Sequence, residues 1–152
     1  MANWIRSTYD KLSSVPGGRY LYSRALSFAA PYTGSIHPYI LEVKNGYARV
    51  QMDDRRAIRN HLKCIHAIAM MNLAELTSGL AVHYALPDDA RGILTGLSIE
   101  YKKKGRGTLI GESHCEVIRT NEKAEHEVVA HIRNSHHEVV AVAKAKWLIG
   151  PI

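Results

Sequence analysis

The stretch from Asn60 to Val82, NHLKCIHAIAMMNLAELTSGLAV, carries the strongest structural signal in the chain. From Ile65 to Val82 its residues are apolar or small on nearly every side of a helix. A helix that is apolar all round is surrounded by protein rather than laid on a surface. The sequence therefore predicts one long helix, Ile65 to Val82, at the centre of the domain.

Polar residues interrupt this apolar helix on one side. Asn72, Glu75 and Ser78 recur at every third position, so they share a face of the helix. An ionised carboxylate in apolar surroundings needs a partner, or its pKa rises until the group is neutral. We therefore interpret Glu75 in one of two ways: as a structural acid paired with Asn72 or with an arginine from a loop, or as an acid tuned for catalysis.

Four segments before this helix have regular patterns, helical at residues 3–14 and 19–29 and strand-like at residues 39–44 and 47–52. Asn3 is suited to cap the first helix. Asn45-Gly46, between the two strands, is the dipeptide best suited to a tight hairpin turn. We expect residues 1–34 to form a helical extension that covers an edge or a face of a sheet.

Strand patterns without a further helix follow, at residues 93–103, 109–117, 128–132 and 139–147. In the first of them, strict alternation predicts that one face carries Ile93, Thr95, Leu97, Ile99 and Tyr101. The order is helix, helix, two strands, helix, four strands. It predicts a single α+β domain over residues 1–152, in which an antiparallel sheet is wrapped around the long helix.

Composition narrows the class of protein. The chain has 152 residues, of which 46% are hydrophobic, enough for the core of one domain. No run approaches the roughly 18 apolar residues of a membrane span, and the N-terminus lacks the apolar centre of a secretory signal. With only two cysteines, we expect a cytoplasmic protein with free thiols. A net charge of +6 favours anionic partners: nucleotide phosphates, nucleic acid or acidic lipid head groups.

Asn60, Leu62, His66 and Glu75 resemble a run found in hotdog-fold acyl-CoA thioesterases, Asn-x-Leu-Gly-x-x-His-Gly-Gly, which a helical acid follows fifteen positions after the Asn. The phenylacetyl-CoA and 4-hydroxybenzoyl-CoA thioesterases are the most similar branches. AELTSGL and PYTG resemble a bacterial subgroup of unknown function in that superfamily. Lys63 stands where the pattern has its first Gly, and Ala67-Ile68 replace Gly-Gly.

The resemblance implies a hotdog fold, homodimers or dimers of dimers, and an active site at each dimer interface. It implies that the substrate is an acyl-CoA or acyl-carrier thioester and that Glu75 is the general base or the nucleophile. The backbone N–H of Ala67, in the first turn of the helix, would stabilise the oxyanion. Asn60 would orient water or the thioester carbonyl.

Further site residues have supporting roles in this interpretation. His66 would be a polar support near the start of the helix, and the hydroxyl of Thr95 would complete the site. The branched side chain of Ile68 narrows the approach that Gly leaves open, and it either shapes a pocket for a different acyl group or signals lost activity. We also expect Asn72 to line the substrate site.

Two basic clusters are candidates for binding the phosphates of coenzyme A. The denser cluster contains Lys102, Lys103, Lys104 and Arg106. In the alternative interpretation these residues form a solvent-exposed hairpin end, whose positive charges prevent the strand edge from pairing with another chain. The second cluster, Arg55, Arg56 and Arg59, directly precedes Asn60.

Other classes of site are not indicated. The nine histidines include no pair with zinc-ligand spacing beside a second matched pair. There is no phosphate-binding Gly-rich loop and no nucleophile elbow. We predict no metal and no cofactor, apart from coenzyme A as part of the substrate. A non-catalytic acyl-CoA-binding module, favoured by Lys63 and Ile68, is the main alternative. A nucleic-acid-binding protein is the weaker one, since only Tyr101 lies near the basic run.

Overall fold

The structure, a computed structural model, describes residues 3–152. Its elements are α1 (Trp4–Ser13), α2 (Gly18–Ala29), α3 (Pro31–Gly34), β1 (Tyr39–Lys44), β2 (Tyr47–Met52), a 3-10 turn (Arg56–Ile58), α4 (Ala67–Ala85), β3 (Ala90–Tyr101), β4 (Leu109–His114), β5 (Ala124–Arg133) and β6 (Val139–Pro151). The predicted order of helices and strands is confirmed, with α3 as a short addition after α2.

The six strands form one antiparallel sheet in the order β1-β2-β4-β5-β6-β3. The sheet packs around α4, which contacts every strand. This arrangement confirms the predicted α+β hotdog fold with one central helix. Within residues 3–152, β3 pairs only with β6, so its other side is an open sheet edge.

Small residues let α4 lie close to the sheet. On β6, Ala141, Ala143 and Ala145 face the helix and are almost completely buried. On β4, a Cβ at Gly111 would lie 2.5 Å from Oγ1 of Thr77 on α4. Larger side chains at these positions would push the helix away and leave gaps in the core, which protein interiors avoid.

The hairpin between β1 and β2 turns at Asn45-Gly46, as predicted. Gly46 has a φ of 70°, which glycine adopts without steric cost. A Cβ at this position would also lie 2.3 Å from the carbonyl oxygen of Cys115, whose N–H donates to the carbonyl of Gly46 at 2.8 Å. Both the turn and the neighbouring chain therefore require glycine here.

The helical extension protects the β1 edge of the sheet. Ser23 on α2 accepts a hydrogen bond from the backbone N–H of Ile40 at 2.9 Å. Tyr9 on α1 accepts one from the N–H of Val43 at 3.0 Å. Asn3 caps α1 as predicted, by accepting from the N–H of Arg6. Side chains thus occupy donor groups of β1 that would otherwise be open to another strand.

Several predicted boundaries are wrong: the strands predicted over residues 93–103, 128–132 and 139–147 are Ala90–Tyr101, Ala124–Arg133 and Val139–Pro151. The central helix begins at Ala67 rather than Ile65, because His66 has an extended backbone and caps the helix, and it runs to Ala85 instead of Val82. The strand predicted over residues 109–117 ends at His114. His114 pairs with Tyr47, the first residue of β2, so no residue of β2 remains to pair with residues beyond it.

The predicted common face of β3 is also wrong. The register shifts between Leu94 and Gly96, so that Thr95 is the extra residue of a β-bulge. Beyond the bulge, Leu97 pairs with the buried Ala145, whereas before it Leu94 pairs with the buried Trp147. Ile93 and Thr95 therefore lie on the opposite face of the sheet from Leu97, Ile99 and Tyr101, because the bulge inverts the alternation.

Candidate functional site

A groove of about 330 Å³ lies at the start of α4. Two predicted site residues, Asn60 and Ala67, line it together with the lysine run. The remaining lining residues are Leu62, Cys64, Ile65, Met70, Tyr101 and Gly105. The structure therefore brings three separate segments together here: the loop before α4, the first turn of α4, and the connection between β3 and β4.

Backbone hydrogen bonds hold the loop before α4 in place. The N–H of Ile65 donates to the carbonyl of Gly105 at 2.8 Å, and the N–H of His66 donates to Ile58 at 2.8 Å. A Cβ at Gly105 would lie 3.0 Å from the sulfur of Met70. The buried glycine thus permits the β3–β4 connection to approach α4 closely enough to form one wall of the groove.

Asn60 organises this loop through its side-chain carbonyl. Its Oδ1 accepts from the backbone N–H of Leu62 at 2.9 Å and of Cys64 at 3.4 Å. In the part of the chain that the structure describes, no acceptor engages its Nδ2 group. The amide can therefore support the loop through oxygen and donate to a ligand through nitrogen.

Lys63 has a φ of 58°, in the left-handed region that costs a residue with a side chain about 1–2 kcal/mol. The thioesterase pattern has glycine at this position, for which the same conformation is free of that cost. Lys63 therefore adopts a backbone conformation that glycine would adopt more easily.

The first turn of α4 presents donors to the groove. The N–H of Ala67 lies at the first helical position, where no intrahelical acceptor exists and where the helix dipole is positive. The next N–H, of Ile68, donates to Nδ1 of His66 at 3.0 Å, so this ring nitrogen acts as an acceptor and a helix cap. The hydroxyl of Tyr101 donates to the carbonyl of Ala67 at 2.8 Å.

Apolar side chains are exposed around this turn. Ile68 is 47% exposed, although it stands where the thioesterase pattern has glycine. Leu62 and Tyr101 are exposed to a similar degree and line the groove itself. An acyl chain or a second protein surface would bury them, which favours binding at this end of the helix.

Glu75 lies two turns further along α4 and is half-buried. Burial raises the pKa of its carboxyl, and the charge of His83 lowers that pKa to a smaller extent. Among residues 3–152, no side chain or backbone group donates a hydrogen bond to this carboxylate or forms an ion pair with it. A carboxylate in such a position is poised to accept a proton.

Its neighbours on the polar face have other partners. Nδ2 of Asn72 donates to the carbonyl of Tyr32 at 3.1 Å. Ser78 donates to the backbone carbonyl of Glu75 at 3.0 Å and accepts from Nε1 of Trp147 at 3.3 Å. Asn72 therefore serves to hold α3 against α4, and the interpretation of Glu75 as paired with Asn72 has no contact to support it within the described chain.

Glu75 does not line the groove. It follows Ala67 by eight residues, which corresponds to about 12 Å along a helix axis. The acid and the predicted oxyanion donor of one chain are therefore too far apart to act on the same carbonyl group.

His83 is a contact residue that the sequence analysis missed. Its Nδ1 lies 2.7 Å from the carbonyl oxygen of Gly79, and its Nε2 lies 3.1 Å from that of Gly92 on β3. A neutral imidazole can donate to only one of these oxygens. A Cβ at Gly92 would lie 3.0 Å from Nε2. The glycine was therefore the one feature of the sequence that could have pointed to a close contact here, but it does not identify His83 as the contacting residue.

The lysines at the groove differ in their partners. Lys102 pairs with Glu100 and Lys103 with Glu138, each at 2.6 Å. No acidic side chain among the described residues pairs with Lys104, so its charge is available to an anion. Arg106 is exposed on the same connection but does not line the groove.

Two arginines of the second basic cluster are held by contacts with other protein groups. Arg59 pairs with Asp54 at 2.6 Å, and this guanidinium holds the pKa of Asp54 below its usual range. Arg55 donates to the carbonyl of Ser35 at 2.7 Å, and Arg56 is exposed in the 3-10 turn. None of these arginines lines the groove.

Thr95 is not near either candidate group. At the bulge of β3, its hydroxyl lies 3.1 Å from the carboxylate of Glu125 and 3.2 Å from the carbonyl oxygen of Lys146, and its single proton is donated to one of them. Lys146 and Glu125 are exposed on the sheet face away from α4. The structure thus places the Thr95 side chain outside the groove and outside the surroundings of Glu75.

Comparison with protein-family models shows to which family the chain belongs. The family described as "Domain of unknown function (DUF4442)" matches residues 18–149. The chain belongs to the DUF4442 family. The match includes the central helix, β1 to β5 and most of β6 of this DUF4442 protein, and it leaves α1 outside. No curated protein matches the chain in sequence.

Solved structures resemble this DUF4442 chain over most of its length. A structural-genomics protein, APC5556, is 26% identical, with a TM-score of 0.86 over 98% of this chain and 99% of that one. PA5026 from Pseudomonas aeruginosa, named a protein of unknown function and "Probable Thioesterase", is 20% identical, with a TM-score of 0.78 over 91% and 97%.

A third solved structure extends the likeness to a more distant protein. SAV0944 from Staphylococcus aureus, named a thioesterase enzyme, is 14% identical, with a TM-score of 0.70 over 80% of this chain and 100% of that one. These likenesses confirm the predicted hotdog fold. No helix in residues 3–152 is long and apolar enough to span a membrane.

Proposed function

We propose that this protein hydrolyses the thioester of an acyl-CoA or acyl-carrier substrate. The observation that carries the proposal is Glu75, a half-buried carboxylate with a raised pKa and no hydrogen-bond partner in the described chain. Burial of an unpaired acid costs stability, and such a cost is typical of a group kept for chemistry. A structural role would be expected to come with a partner.

The site is formed by two copies of the chain. One copy contributes the groove with Asn60 and the N–H of Ala67, and the other contributes Glu75, because about 12 Å separates Ala67 from Glu75 within one helix. The open edge of β3 offers a surface by which two sheets can join. In this assembly the carbonyl of the substrate lies at the first turn of one α4 and near the acid of the other.

The reaction needs one proton acceptor and one oxyanion site. Glu75 removes a proton from water as the water oxygen attacks the thioester carbonyl, or its carboxylate attacks that carbon directly. The N–H of Ala67 stabilises the negative charge that develops on the carbonyl oxygen. The carbon–sulfur bond then breaks and the leaving thiolate takes up a proton. In the direct route, water hydrolyses the resulting anhydride.

A spacing in a solved relative supports these assignments. Two structures of the Staphylococcus aureus thioesterase carry substitutions to alanine, one of a glutamine and one of a glutamate fifteen positions further along that chain. Asn60 and Glu75 have the same separation in this chain. Both pairs consist of a side-chain amide followed by a carboxylate.

Binding of coenzyme A at the groove agrees with its charge. Lys104 has no acidic partner among the described residues, and Lys102 and Lys103 lie beside it. Phosphates at the mouth of the groove would be attracted to this cluster. The apolar rim, formed by Leu62, Ile68 and Tyr101, lies beside the first turn of α4, where the acyl group would be bound.

The alternative function is a non-catalytic acyl-CoA-binding module. Lys63 and Ile68, in place of glycines of the thioesterase pattern, are the features that favour it. The exposed Ile68 side chain follows directly after the proposed oxyanion donor, where it would restrict the approach of a bulky thioester. In such a module Glu75 would line a binding surface without taking part in a reaction.

The test is steady-state release of free thiol from short, long and aromatic acyl-CoAs, by the wild type and by Glu75→Gln. Loss of one general base typically lowers a rate by about 10²–10⁴-fold. We expect Glu75→Gln to lose this much of kcat while it binds the same substrates. Glu122→Gln, which changes an exposed carboxylate of the β4–β5 connection, is the matched control and should keep its rate.

Two outcomes would contradict the proposal. If the wild type binds acyl-CoA and releases no thiol from any of the substrates, the binding module is the correct interpretation. If thiol is released equally by wild type and Glu75→Gln, hydrolysis occurs but a different group is the base.

A mixture of Glu75→Gln and Ala67→Pro, which lacks the proposed N–H donor, tests the two-copy site. A mixed dimer contains one intact site, so mixing should restore activity that neither variant has alone.

A further inference from the structure

The outer face of α2 is apolar although no described part of the chain covers it. Helix α2 buries Tyr22, Ser23 and Leu26 against the rest of the protein. On its opposite side, Tyr20, Leu21 and Phe28 are exposed, and Phe28 is 88% exposed. A helix that is apolar on both sides is expected to be covered on both sides.

The exposed residues form one continuous surface, which we term the α2 face. Tyr20, Arg24 and Phe28 are spaced by four residues, and Leu21 lies beside them, so all four share one side of the helix. Tyr32, on the adjoining α3, is 70% exposed. A shallow groove next to Phe28 is lined by Arg24 on one side and by residues of α3 on the other.

Charge in this region has a single sign. Between Asp10 and Glu42 the chain contains no acidic residue, whereas it contains Lys11, Arg19 and Arg24. Arg24 has no ion-pair partner among the described residues. An apolar surface with aromatic side chains and uncompensated basic residues is complementary to an anionic surface that is apolar beneath its charges.

We propose that the α2 face docks on an anionic lipid bilayer. Leu21, Phe28 and the aromatic ring of Tyr20 enter the interface between head groups and acyl chains, and Arg24 binds a lipid phosphate. Aromatic side chains and arginine are both favoured at this depth of a membrane. The helix lies in the interface, which is how amphipathic surface helices bind lipid without crossing it.

A second copy of the chain is a less suitable occupant. Two α2 faces in contact would bring Arg24 of one copy close to Arg24 of the other, and like charges oppose such contact. In addition, α2 packs on β1, whereas β3 lies at the opposite edge of the sheet. The two-copy site proposed above uses the β3 edge, so it leaves the α2 face free.

The test is sedimentation of the full chain with vesicles, either of phosphatidylcholine alone or of an equimolar mixture with phosphatidylglycerol. We expect binding to the anionic vesicles only, and weaker binding as the salt concentration rises. The double variant Leu21→Ser/Phe28→Ser should lose about tenfold or more in affinity. Arg24→Gln should lose about fivefold, the value for one basic residue near an anionic surface.

Matched controls separate the α2 face from general effects. Val117→Ser and Arg119→Gln make comparable changes at exposed positions of the β4–β5 connection and should leave vesicle binding unchanged. The exposure of Leu21 and Phe28 means that the double variant should unfold at the same temperature as the wild type. Circular dichroism during heating checks this.

Three outcomes would overturn the proposal. The first is a wild type that binds neither type of vesicle. The second is binding that the double variant retains, or that the two control variants lose equally. The third is a wild-type oligomer that the double variant dissociates, as measured by analytical ultracentrifugation, because the α2 face would then be an interface between copies of the chain.

Discussion

The two ends of α4 differ in almost every physical respect. At the N-terminal end, Ala67 and Ile68 are accessible and three segments of the chain form an open groove. Toward the C-terminal end the helix packs tightly on the sheet, with Trp147 against Gly79 and in edge-to-face contact with His83 at 5.0 Å. The groove at this end, lined by His83 and Leu86, is smaller, about 210 Å³. Glu75 lies between the two. In the proposed function the N-terminal end binds the ligand, whereas close packing on Trp147 holds the C-terminal half of the helix against the sheet.

The largest expected effect is on the free energy of unfolding, from a substitution at the C-terminal half of α4. Trp147→Ala should lower the free energy of unfolding by about 3–5 kcal/mol, because it leaves a cavity beside α4 and removes the partner of Ser78. Ile68→Ala at the open end should change it by no more than about 0.5 kcal/mol, since its side chain is largely exposed. Urea denaturation of both variants measures the contrast. Equal losses would mean that the two ends are not different.

The pH dependence of activity should report on Glu75 directly. The carboxylate must be ionised to accept a proton, and burial raises its pKa. The acid limb of the kcat/KM profile should therefore lie above the pH at which an exposed glutamate titrates, with a tenfold loss per pH unit below it. An acid limb at the ordinary glutamate pKa would show that the group is solvated in the active assembly.

The raised pKa of Glu75 also makes the contribution of this group to folded-state stability less favourable at neutral pH than at acidic pH. Because the folded state holds the proton of Glu75 more tightly than the unfolded state does, this group lowers stability as the pH rises from the unfolded to the folded pKa. Glu75→Gln should therefore be as stable as the wild type or more stable at neutral pH, and the advantage should vanish on acidification. The wild-type-minus-variant difference in the unfolding free energy isolates this effect from Asp54, whose lowered pKa acts oppositely.

A smaller effect is expected from the unpaired lysine at the groove. Lys104→Gln should raise KM for an acyl-CoA about threefold to tenfold with little change in kcat, as expected for one exposed contact to phosphate. Arg106→Gln makes the same charge change outside the groove lining and is the control. An equal effect of the two substitutions would mean that only the overall field of the basic run attracts the substrate.

The smallest expected effect concerns the loop before α4. Lys63→Gly should stabilise the protein by about 0.5–1 kcal/mol, because glycine adopts the positive φ at this position with less strain. Lys63→Ala removes the same charge but keeps a Cβ, so it should give no such gain. Thermal unfolding of both variants distinguishes relief of strain from removal of charge, since a charge effect would raise the melting temperature of both equally.

Local patterns predicted the elements well and the longer-range contacts less well. The apolar and small residues on nearly every side of residues 65–82 correctly indicated a buried helix, because a helix that is apolar all round is surrounded by protein. The face of β3 was predicted incorrectly, because a bulge at Thr95 depends on pairing with β6, some fifty residues further along the chain. No alternation within the strand itself reveals such a register shift.

In the candidate site, too, the residues could be predicted from local sequence, whereas their contacts with distant segments could not. The spacing from Asn60 to Glu75 is readable from the sequence, and so are the lysines of the β3–β4 connection. That these lysines lie beside Asn60 depends on the buried Gly105 and its hydrogen bond to Ile65. The role of Tyr101 at the first turn of α4 depends on the same approach, and no local pattern contains it.

By itself, the amino-acid sequence determined the order of the elements, the burial of the central helix and the presence of an acid on it, since these follow from composition and period along a single segment. Only the tertiary structure decided that Glu75 has no partner among residues 3–152, that the groove lies about 12 Å from it, and that no described residue covers the α2 face. Each of these depends on which distant segments meet, and sheet pairing and close packing settle those contacts.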